Sequence, residues 1–127
     1  MLKDCPFCVK NGKVKILCEN DMAYLVAALG DQGDIIHDRF LIIPKDHVES
    51  VLDLPSGWHG AVQQLLRGHF GQTMAERSFN LSFNQGQEAG QRIVHIHCWL
   101  IFRDKCSEGG ASELGLSSLI DKMSRLS

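Results

Sequence analysis

The chain lacks any strong excess of charge of one sign. Its 127 residues include 13 basic and 15 acidic side chains, which leaves a net charge of −2. This balance provides no global basic field for nucleic acid, so any phosphate must be bound locally. The sequence also has no charged-then-apolar leader and no apolar run of about eighteen residues. We therefore expect neither nucleic acid nor a membrane as a partner.

Cysteine is too sparse for a domain stapled by disulfides. Five cysteines, an odd number, are spread along the chain, and this low density predicts a reducing, cytoplasmic setting. They are Cys5, Cys8, Cys18, Cys98 and Cys106. Internal repeats and low-complexity segments are also missing. A chain of this length can bury one real core but not two, so we expect a single domain over 1–127.

The segment from His95 to Ile101 carries the clearest chemical signal. Two histidines stand at strand spacing in an apolar run. Side chains alternate along a strand, so His95, His97 and Trp99 are predicted to share one face. Just upstream, residues 84–92 are rich in glycine and amide side chains, which is typical of backbone beside a phosphate. This loop favours a site over a histidine that merely satisfies a buried neighbour.

The apolar pattern predicts five strands in an antiparallel sheet. The expected segments are 13–19, 23–28, 40–43, 80–84 and 93–103. An Asn20-Asp21 turn between the first two suggests a hairpin, and the glycine-rich loop joins the last two. Helices packed on one side of this sheet would give an α+β fold.

One long helix is predicted between the third and fourth strands. From Pro55 to Met74, apolar residues recur at three- and four-residue steps, and Asp53 is the candidate N-cap. A second, short amphipathic helix is predicted in the tail, 107–127. The long segment contains Gly57, Gly60, Gly68 and Gly71. Each would weaken the helix by up to about 1 kcal/mol if it lay in the interior, so packing against the sheet must stabilise it.

Together these motifs resemble the histidine triad (HIT) family of nucleotide hydrolases and transferases, and within it the bacterial diadenosine polyphosphate hydrolases. The Cys5-Pro6-Phe7-Cys8 start and the 40–48 stretch, a buried strand followed by Pro-Lys-x-His, are also similar to the family. Trp99 stands where the family pattern has its third histidine. The resemblance implies a five-stranded α+β fold with one long and one short C-terminal helix. It also implies a homodimer paired through the central helix and the adjoining strand.

The resemblance assigns catalysis to His97. In the family, the middle histidine attacks the α-phosphate and forms a nucleotidyl-histidine intermediate without a catalytic metal. Trp99 cannot protonate a leaving group, because an indole N–H only donates a hydrogen bond. The expected substrates are dinucleoside polyphosphates, nucleoside phosphoramidates or related adenylated compounds. The alternative is a nucleotide-binding module that keeps the fold but has lost efficient turnover.

The resemblance also places residues around the substrate. Asn84 is expected at the ribose or phosphate, although asparagine is equally common as a turn residue. Arg92 and Arg39 replace the hydroxyl and histidine that the family usually has there. Arginine binds phosphate as a fork of fixed charge, and the alternative for both residues is a solvated surface charge. The expected substrate-binding set is Asn84, Gly90, Gln91, Arg92, Trp99 and Arg39.

Cys5 and Cys8 indicate a second site. Two cysteines three positions apart can place both sulfurs on one Zn²⁺, and tetrahedral zinc then needs two more ligands. By resemblance these are the histidine of Pro-Lys-x-His and the first histidine of the triad, here His47 and His95. Such a site would be structural and would pin residues 1–12 to the sheet. A redox pair or two ordinary buried thiols are the alternatives.

Overall fold

The computed structural model describes residues 5–9, 15–30 and 32–103. Its helices are α1 (Pro6–Val9), α2 (Trp58–Phe70) and α3 (Thr73–Glu76). Its strands are β1 (Ile16–Glu19), β2 (Ala23–Leu29), β3 (Ile35–Pro44), β4 (Ser78–Phe83) and β5 (Cys98–Arg103). Cys106 and the helix predicted in 107–127 lie outside the described residues. Among the described helices, none is long and apolar enough to cross a membrane.

The five strands of the described chain form one sheet, in which all neighbouring pairs are antiparallel. Their order is β1-β2-β3-β5-β4, so β1 and β4 are the edges of the described sheet. The chain leaves β3, runs through α2 and α3, returns along β4 and then enters the sheet as β5 between β3 and β4. This arrangement confirms the predicted α+β fold with a five-stranded antiparallel sheet.

Strand register gives the sheet two different faces. Paired residues of antiparallel strands share a face, and Leu41 pairs with Trp99, which pairs in turn with Ser82. We call the side that contains Trp99 the histidine face and the opposite side, which packs on α2, the helix face. The helix face is one apolar cluster, and its members include Leu25, Ile42, Leu100, Val62 and Leu65. A smaller cluster on the histidine face joins β2 and β3 to α1, through Tyr24, Val26, Ile43, Cys5, Phe7 and Cys8.

Helix α2 differs from the prediction at both ends. It begins at Trp58, whose N–H donates to the Pro55 carbonyl, and Gly57 is its N-cap. The proposed cap, Asp53, is wrong, because it lies in a separate 3-10 turn over Val51–Asp53. The helix ends before Gly71, whose φ of 56° is open to glycine and strained for other residues. Two of the four glycines therefore lie at helix ends rather than in the interior.

Strand β3 begins five residues before the predicted 40–43 segment, and the added part of the strand is irregular. Its pairing with β2 shifts between Ala27 and Leu29, and Asp38 within the shifted stretch has a φ of 63°. The Asp38 carboxylate accepts two hydrogen bonds from the Arg77 guanidinium, at 2.9 and 3.0 Å. That guanidinium lies 4.8 Å from the centre of the Phe102 ring on the helix face. The ion pair therefore ties the irregular stretch of β3 to the start of β4.

Candidate functional site

The histidine segment does not begin as a strand. The prediction of a strand from 93 is wrong at its start, because β5 begins only at Cys98. Two hydrogen bonds hold the preceding residues against the turn after β3: the Ile96 N–H donates to the Val48 carbonyl at 2.7 Å, and His95 Nε2 lies 2.7 Å from the Pro44 carbonyl. Both histidines are buried here, with His95 fully buried and His97 8% exposed.

Four side chains from three segments meet beside His95. The ligand atoms of Cys5, Cys8, His47 and His95 all lie within 4.8 Å of one another. His95 Nδ1 is 3.4 Å from the Cys5 sulfur and 3.5 Å from the Cys8 sulfur, and His47 Nδ1 is 3.2 Å from the Cys8 sulfur. The structure thus brings together all four residues of the predicted metal set.

The geometry of this cluster fits a tetrahedral zinc ion. With Zn–S near 2.3 Å and Zn–N near 2.0 Å, a sulfur and a nitrogen on one zinc lie about 3.5 Å apart. The observed sulfur–nitrogen contacts span 3.2 to 3.5 Å. Each histidine also has its other nitrogen occupied, since Nε2 of His95 faces the Pro44 carbonyl and Nε2 of His47 faces Glu49. Such outer contacts orient ligating histidines, so both Nδ1 atoms could bind a metal.

Burial and hydrogen bonds shift the pKa values of the side chains in this cluster. Desolvation raises the pKa of the Cys5 thiol and lowers the pKa of His95, and the neighbouring His47 and His97 add to the second effect. Burial acts on His47 in the same downward direction, but its hydrogen bonds to Cys8 and Glu49 outweigh it and raise the pKa. Without a cation, these surroundings favour neutral Cys5 and His95.

His97 is held in one tautomer. Its Nδ1 lies 2.9 Å from the His95 carbonyl oxygen, which only accepts hydrogen bonds, so Nδ1 carries the proton. The lone pair is then on Nε2, which has no hydrogen-bond partner among the described residues. Two aromatic rings flank the imidazole, with centroids 5.2 Å away for Phe7 and 6.3 Å away for Trp99. When the ring is neutral, its lone pair is therefore available on Nε2.

The glycine-rich loop folds back on itself. Gly86 and Gly90 adopt φ angles of 94° and 99°, which glycine reaches at little cost. The Gln91 side chain closes the loop, because its Oε1 accepts from the Gly86 N–H and its Nε2 donates to the Ile93 carbonyl. Asn84 lies beside Gly90, within 3.6 Å of where a Cβ would project. Contacts of Asn84, Gly90 and Gln91 with a phosphate stay predictions.

The remaining predicted binding residues are one loop residue and two strand residues. Arg92 is exposed just after the loop, while Arg39 and Trp99 are half-buried on β3 and β5. Arg39 pairs with Ile101, two positions along β5 from Trp99, so Arg39 and Trp99 share a face. Contacts of these three side chains with substrate also stay predictions.

The sequence did not identify the residues of two further features of this site. Gln85 links the loop to the 49–51 segment, since its Oε1 accepts from the Val51 N–H at 2.7 Å. A cavity of about 430 Å³ opens beside α1, with a mostly apolar lining that includes Phe7, Leu17, Val26, Leu41 and Ile93. The only sequence signal for this cavity was the apolar character of these residues, which lie on five separate segments. Pattern reading cannot assemble such a set.

Comparison with known proteins identifies the fold. Residues 16–106 match the HIT domain family. The chain is 32% identical over 80 residues to an uncharacterized HIT-like protein of Chlamydia muridarum, covering 53% of this chain and 61% of that protein. It is 32% identical over 106 residues to the adenylylsulfatase HINT3 of Arabidopsis thaliana, covering 79% of this chain and 52% of that protein. The chain thus spans between half and two thirds of the length of these relatives.

A solved structure shares the architecture. A zinc-bound histidine triad family protein from Mycobacterium smegmatis superposes with a TM-score of 0.63 at 19% identity, covering 83% of this chain and 78% of that one. At this identity the likeness speaks for the fold alone. The family match covers well over half of the sequence, and the segment with His95 and His97 leads directly into β5, which lies between β3 and β4. The chain therefore belongs to the HIT domain family.

Proposed function

We propose that the chain is a nucleotide hydrolase or nucleotidyl transferase in which His97 is the nucleophile. The proposal is carried by the 2.9 Å hydrogen bond from His97 Nδ1 to the His95 carbonyl, which leaves the lone pair on Nε2. Nε2 attacks the α-phosphorus, the bond from phosphorus to the leaving group breaks, and a nucleotidyl-histidine forms. Water or another acceptor then attacks phosphorus and loses its proton to solvent, while the N–P bond breaks and the imidazole is restored.

The surroundings of His97 support a nucleotide as the substrate. The cavity of about 430 Å³ is apolar enough to take a base, and Phe7 contacts both this cavity and His97. In this arrangement Asn84 approaches the ribose, and the glycine-rich loop, with Arg92, approaches the phosphate. Arg39 and Trp99 lie farther along the histidine face, where the leaving group would extend.

Trp99 favours leaving groups that depart without a proton. An indole cannot act as a general acid, so an amine or a strongly basic alkoxide would leave slowly. Sulfate is a weak base and needs no protonation, and one relative of the chain is an adenylylsulfatase. Among the adenylated compounds considered, we therefore place adenylyl sulfate ahead of nucleoside phosphoramidates as a substrate.

The cluster of Cys5, Cys8, His47 and His95 is proposed to bind a structural Zn²⁺. Its sulfur–nitrogen distances fit one tetrahedral ion, and a structural neighbour from Mycobacterium smegmatis is zinc-bound. The ion would link α1 to the 44–48 turn and to the histidine segment. All four ligands come from the protein, so no position is open for substrate, and His97 needs no catalytic metal in this scheme.

A homodimer is proposed through α2 and the edge strand β4. A mostly apolar groove of about 530 Å³ runs between α2, α3 and β4. Phe79 and Leu81 of β4 line it and are 37% and 42% exposed. An exposed strand edge with apolar side chains invites pairing with another chain, and in this family that chain would be a second copy.

The mechanism is tested by intact-protein mass spectrometry after brief exposure to adenylyl sulfate. We expect the mass of one added adenylyl group in the unmodified protein and no adduct in His97→Ala. His69→Ala, which changes an exposed histidine on α2, should keep the adduct. Product in excess of enzyme would complete the case for catalysis. Nucleotide binding with neither adduct nor product would instead support the binding-module alternative.

A further inference from the structure

Within the described part of the chain, the imidazole of His97 is held by one hydrogen bond and two aromatic neighbours. The bond from Nδ1 to the His95 carbonyl fixes one atom of the ring, and the ring can still tilt about that contact. Its plane must therefore be set by packing. The Phe7 ring lies 5.2 Å away at an interplanar angle of 69°, and the Trp99 ring lies 6.3 Å away at 61°. Phe7 is the closer of the two and, at 6% exposure, the more deeply buried.

Phe7 is itself firmly placed. Its carbonyl accepts a 2.7 Å hydrogen bond from the hydroxyl of Tyr24, which is fully buried on β2. The Cys8 N–H donates to the Cys5 carbonyl, which closes a tight turn around Phe7. The Phe7 ring also lies edge-on to His95, with centroids 5.7 Å apart. A residue whose backbone is held by these bonds, and whose buried ring packs on His95, can fix the orientation of its neighbour.

We propose that Phe7 is a positioning residue for His97. Its ring keeps the imidazole tilted so that Nδ1 stays on the His95 carbonyl and Nε2 is directed at the α-phosphorus. This inference rests on the proposed nucleophilic role of His97. Orientation matters because a misplacement of about 1 Å at a reacting group can cost on the order of 10²-fold in rate. Phe7 stands between Cys5 and Cys8, so the same turn serves the metal cluster and the nucleophile.

The test compares Phe7→Leu with Phe102→Leu. Both phenylalanines are 6% exposed, but Phe102 packs on the helix face, against Phe40, Phe70 and Phe79. Nitrogen-15 NMR of the imidazole, without substrate and at a fixed pH where the ring is neutral, reports the His97 tautomer. We expect the Nδ1–H form alone in the unmodified protein and in Phe102→Leu. A mixture of both tautomers is expected in Phe7→Leu.

A second readout is the single-turnover rate of adduct formation at saturating adenylyl sulfate, because Phe7 also lines the cavity and will change nucleotide affinity. This rate should fall about tenfold or more in Phe7→Leu and stay within about twofold in Phe102→Leu. Zinc content should be equal in both. Phe7→Met takes the place of Phe7→Leu if the leucine variant does not fold.

The proposal is overturned if folded Phe7→Leu keeps a single tautomer and the normal adduct rate. Equal losses in Phe7→Leu and Phe102→Leu would also overturn it, since they would indicate general packing. The proposed function can fail separately. If the unmodified protein forms no adduct while Phe7→Leu still mixes the tautomers, Phe7 positions His97 but His97 is not a nucleophile for this substrate.

Discussion

The two faces of the sheet bury their residues in different ways. The helix face is covered by α2 and contains one apolar cluster, in which even the Cys98 thiol is kept neutral because burial raises its pKa to about 12. On the other side, two buried cysteines belong to a smaller cluster, and two buried histidines lie beside that cluster. Each of these four polar side chains has a specific partner, such as the Pro44 carbonyl for His95.

The two faces therefore have different roles: one holds reactive groups, and the other supplies most of the hydrophobic stabilisation. A buried polar group is costly unless it is hydrogen-bonded, so the histidine face gives up apolar packing to hold groups that can react or bind a metal. The helix face can then supply the hydrophobic stabilisation. Changes on the histidine face should therefore alter chemistry or metal content, and should alter stability chiefly through the metal. Changes on the helix face should alter association and hydrophobic stability.

The largest effect is expected from Trp99→His on the histidine face. A histidine there could protonate the leaving group, and such acid assistance is worth about 10²–10⁴-fold where a proton is needed. Steady-state turnover should rise by that order for a nucleoside phosphoramidate, whose amine leaves poorly. Adenylyl sulfate should gain little, because sulfate leaves without a proton.

Trp99→Phe is the matched control, since it removes the indole without adding an acid. It should not raise turnover of either substrate. Folding must be checked by circular dichroism, because both changes shrink a half-buried side chain. If folded Trp99→His turns over both substrates at the original rates, Trp99 does not occupy the place of a catalytic donor and serves in packing instead.

Removal of the metal should have the next largest effect. If Zn²⁺ is present at a thousandfold above its dissociation constant, it stabilises the folded state by about 4 kcal/mol, and a chelator should remove this stabilisation. Metal analysis of protein purified without chelator should find one zinc per chain. Thermal unfolding with and without chelator should show the matching fall in Tm.

Cys5→Ser combined with Cys8→Ser should abolish zinc binding, whereas Cys18→Ser, which changes a half-buried cysteine of β1 outside the cluster, should retain it. A zinc content that is unchanged in the double variant would rule out the proposed ligands. In the unmodified protein, cobalt substitution would add a check, because thiolate ligation gives strong charge-transfer absorption.

A third prediction concerns the proposed dimer, which would form at the edge of the helix face. Leu81→Glu places a charge in the apolar groove beside α2, and we expect the dimer dissociation constant to rise at least about tenfold, or about 1.4 kcal/mol. Leu52→Glu, at a residue that is 88% exposed and not part of that groove, should have no effect. Light scattering across a concentration series measures both, and an unmodified protein that is monomeric at micromolar concentration would contradict the proposal.

Sequence reasoning succeeded where the determining signal was local. The apolar runs of β2 and of the residues before Pro44 were enough to predict strands. The Cys-x-x-Cys spacing predicted two metal ligands, and the resemblance to the family supplied His47 and His95. It failed where a distant partner decides the conformation. The 93–97 segment alternates like a strand, but bonds to the Pro44 and Val48 carbonyls keep it out of the ladder.

The cap of α2 was misread for a related reason. Asp53 is a residue type that often caps helices. Here, however, Asp53 is the last residue of a separate 3-10 turn over Val51–Asp53, and the N-cap of α2 is Gly57. The positioning role proposed for Phe7 also depends on residues 90 positions away, and no period in the sequence encodes that contact.

The smallest effect is expected from the ion pair of Asp38 and Arg77. Hydrogen bonds from Arg77 hold the pKa of the Asp38 carboxyl below its usual value, although partial burial opposes this. A carboxyl whose pKa is lower in the folded state stabilises the fold above its unfolded pKa of about 3.9, and this contribution is lost as the pH falls through the folded pKa. Asp38→Asn should therefore cost about 1 kcal/mol at neutral pH.

Asn is the appropriate replacement because it also tolerates the positive φ at this position, so backbone strain stays the same. Urea unfolding of both proteins at neutral pH and at successively lower pH values measures the difference in free energy. The difference should shrink toward zero once Asp38 is protonated, and adduct formation at neutral pH should be unchanged because the pair is tied to Phe102 on the helix face. A difference that persists undiminished in acid would show that the carboxylate charge is not what stabilises the irregular stretch of β3.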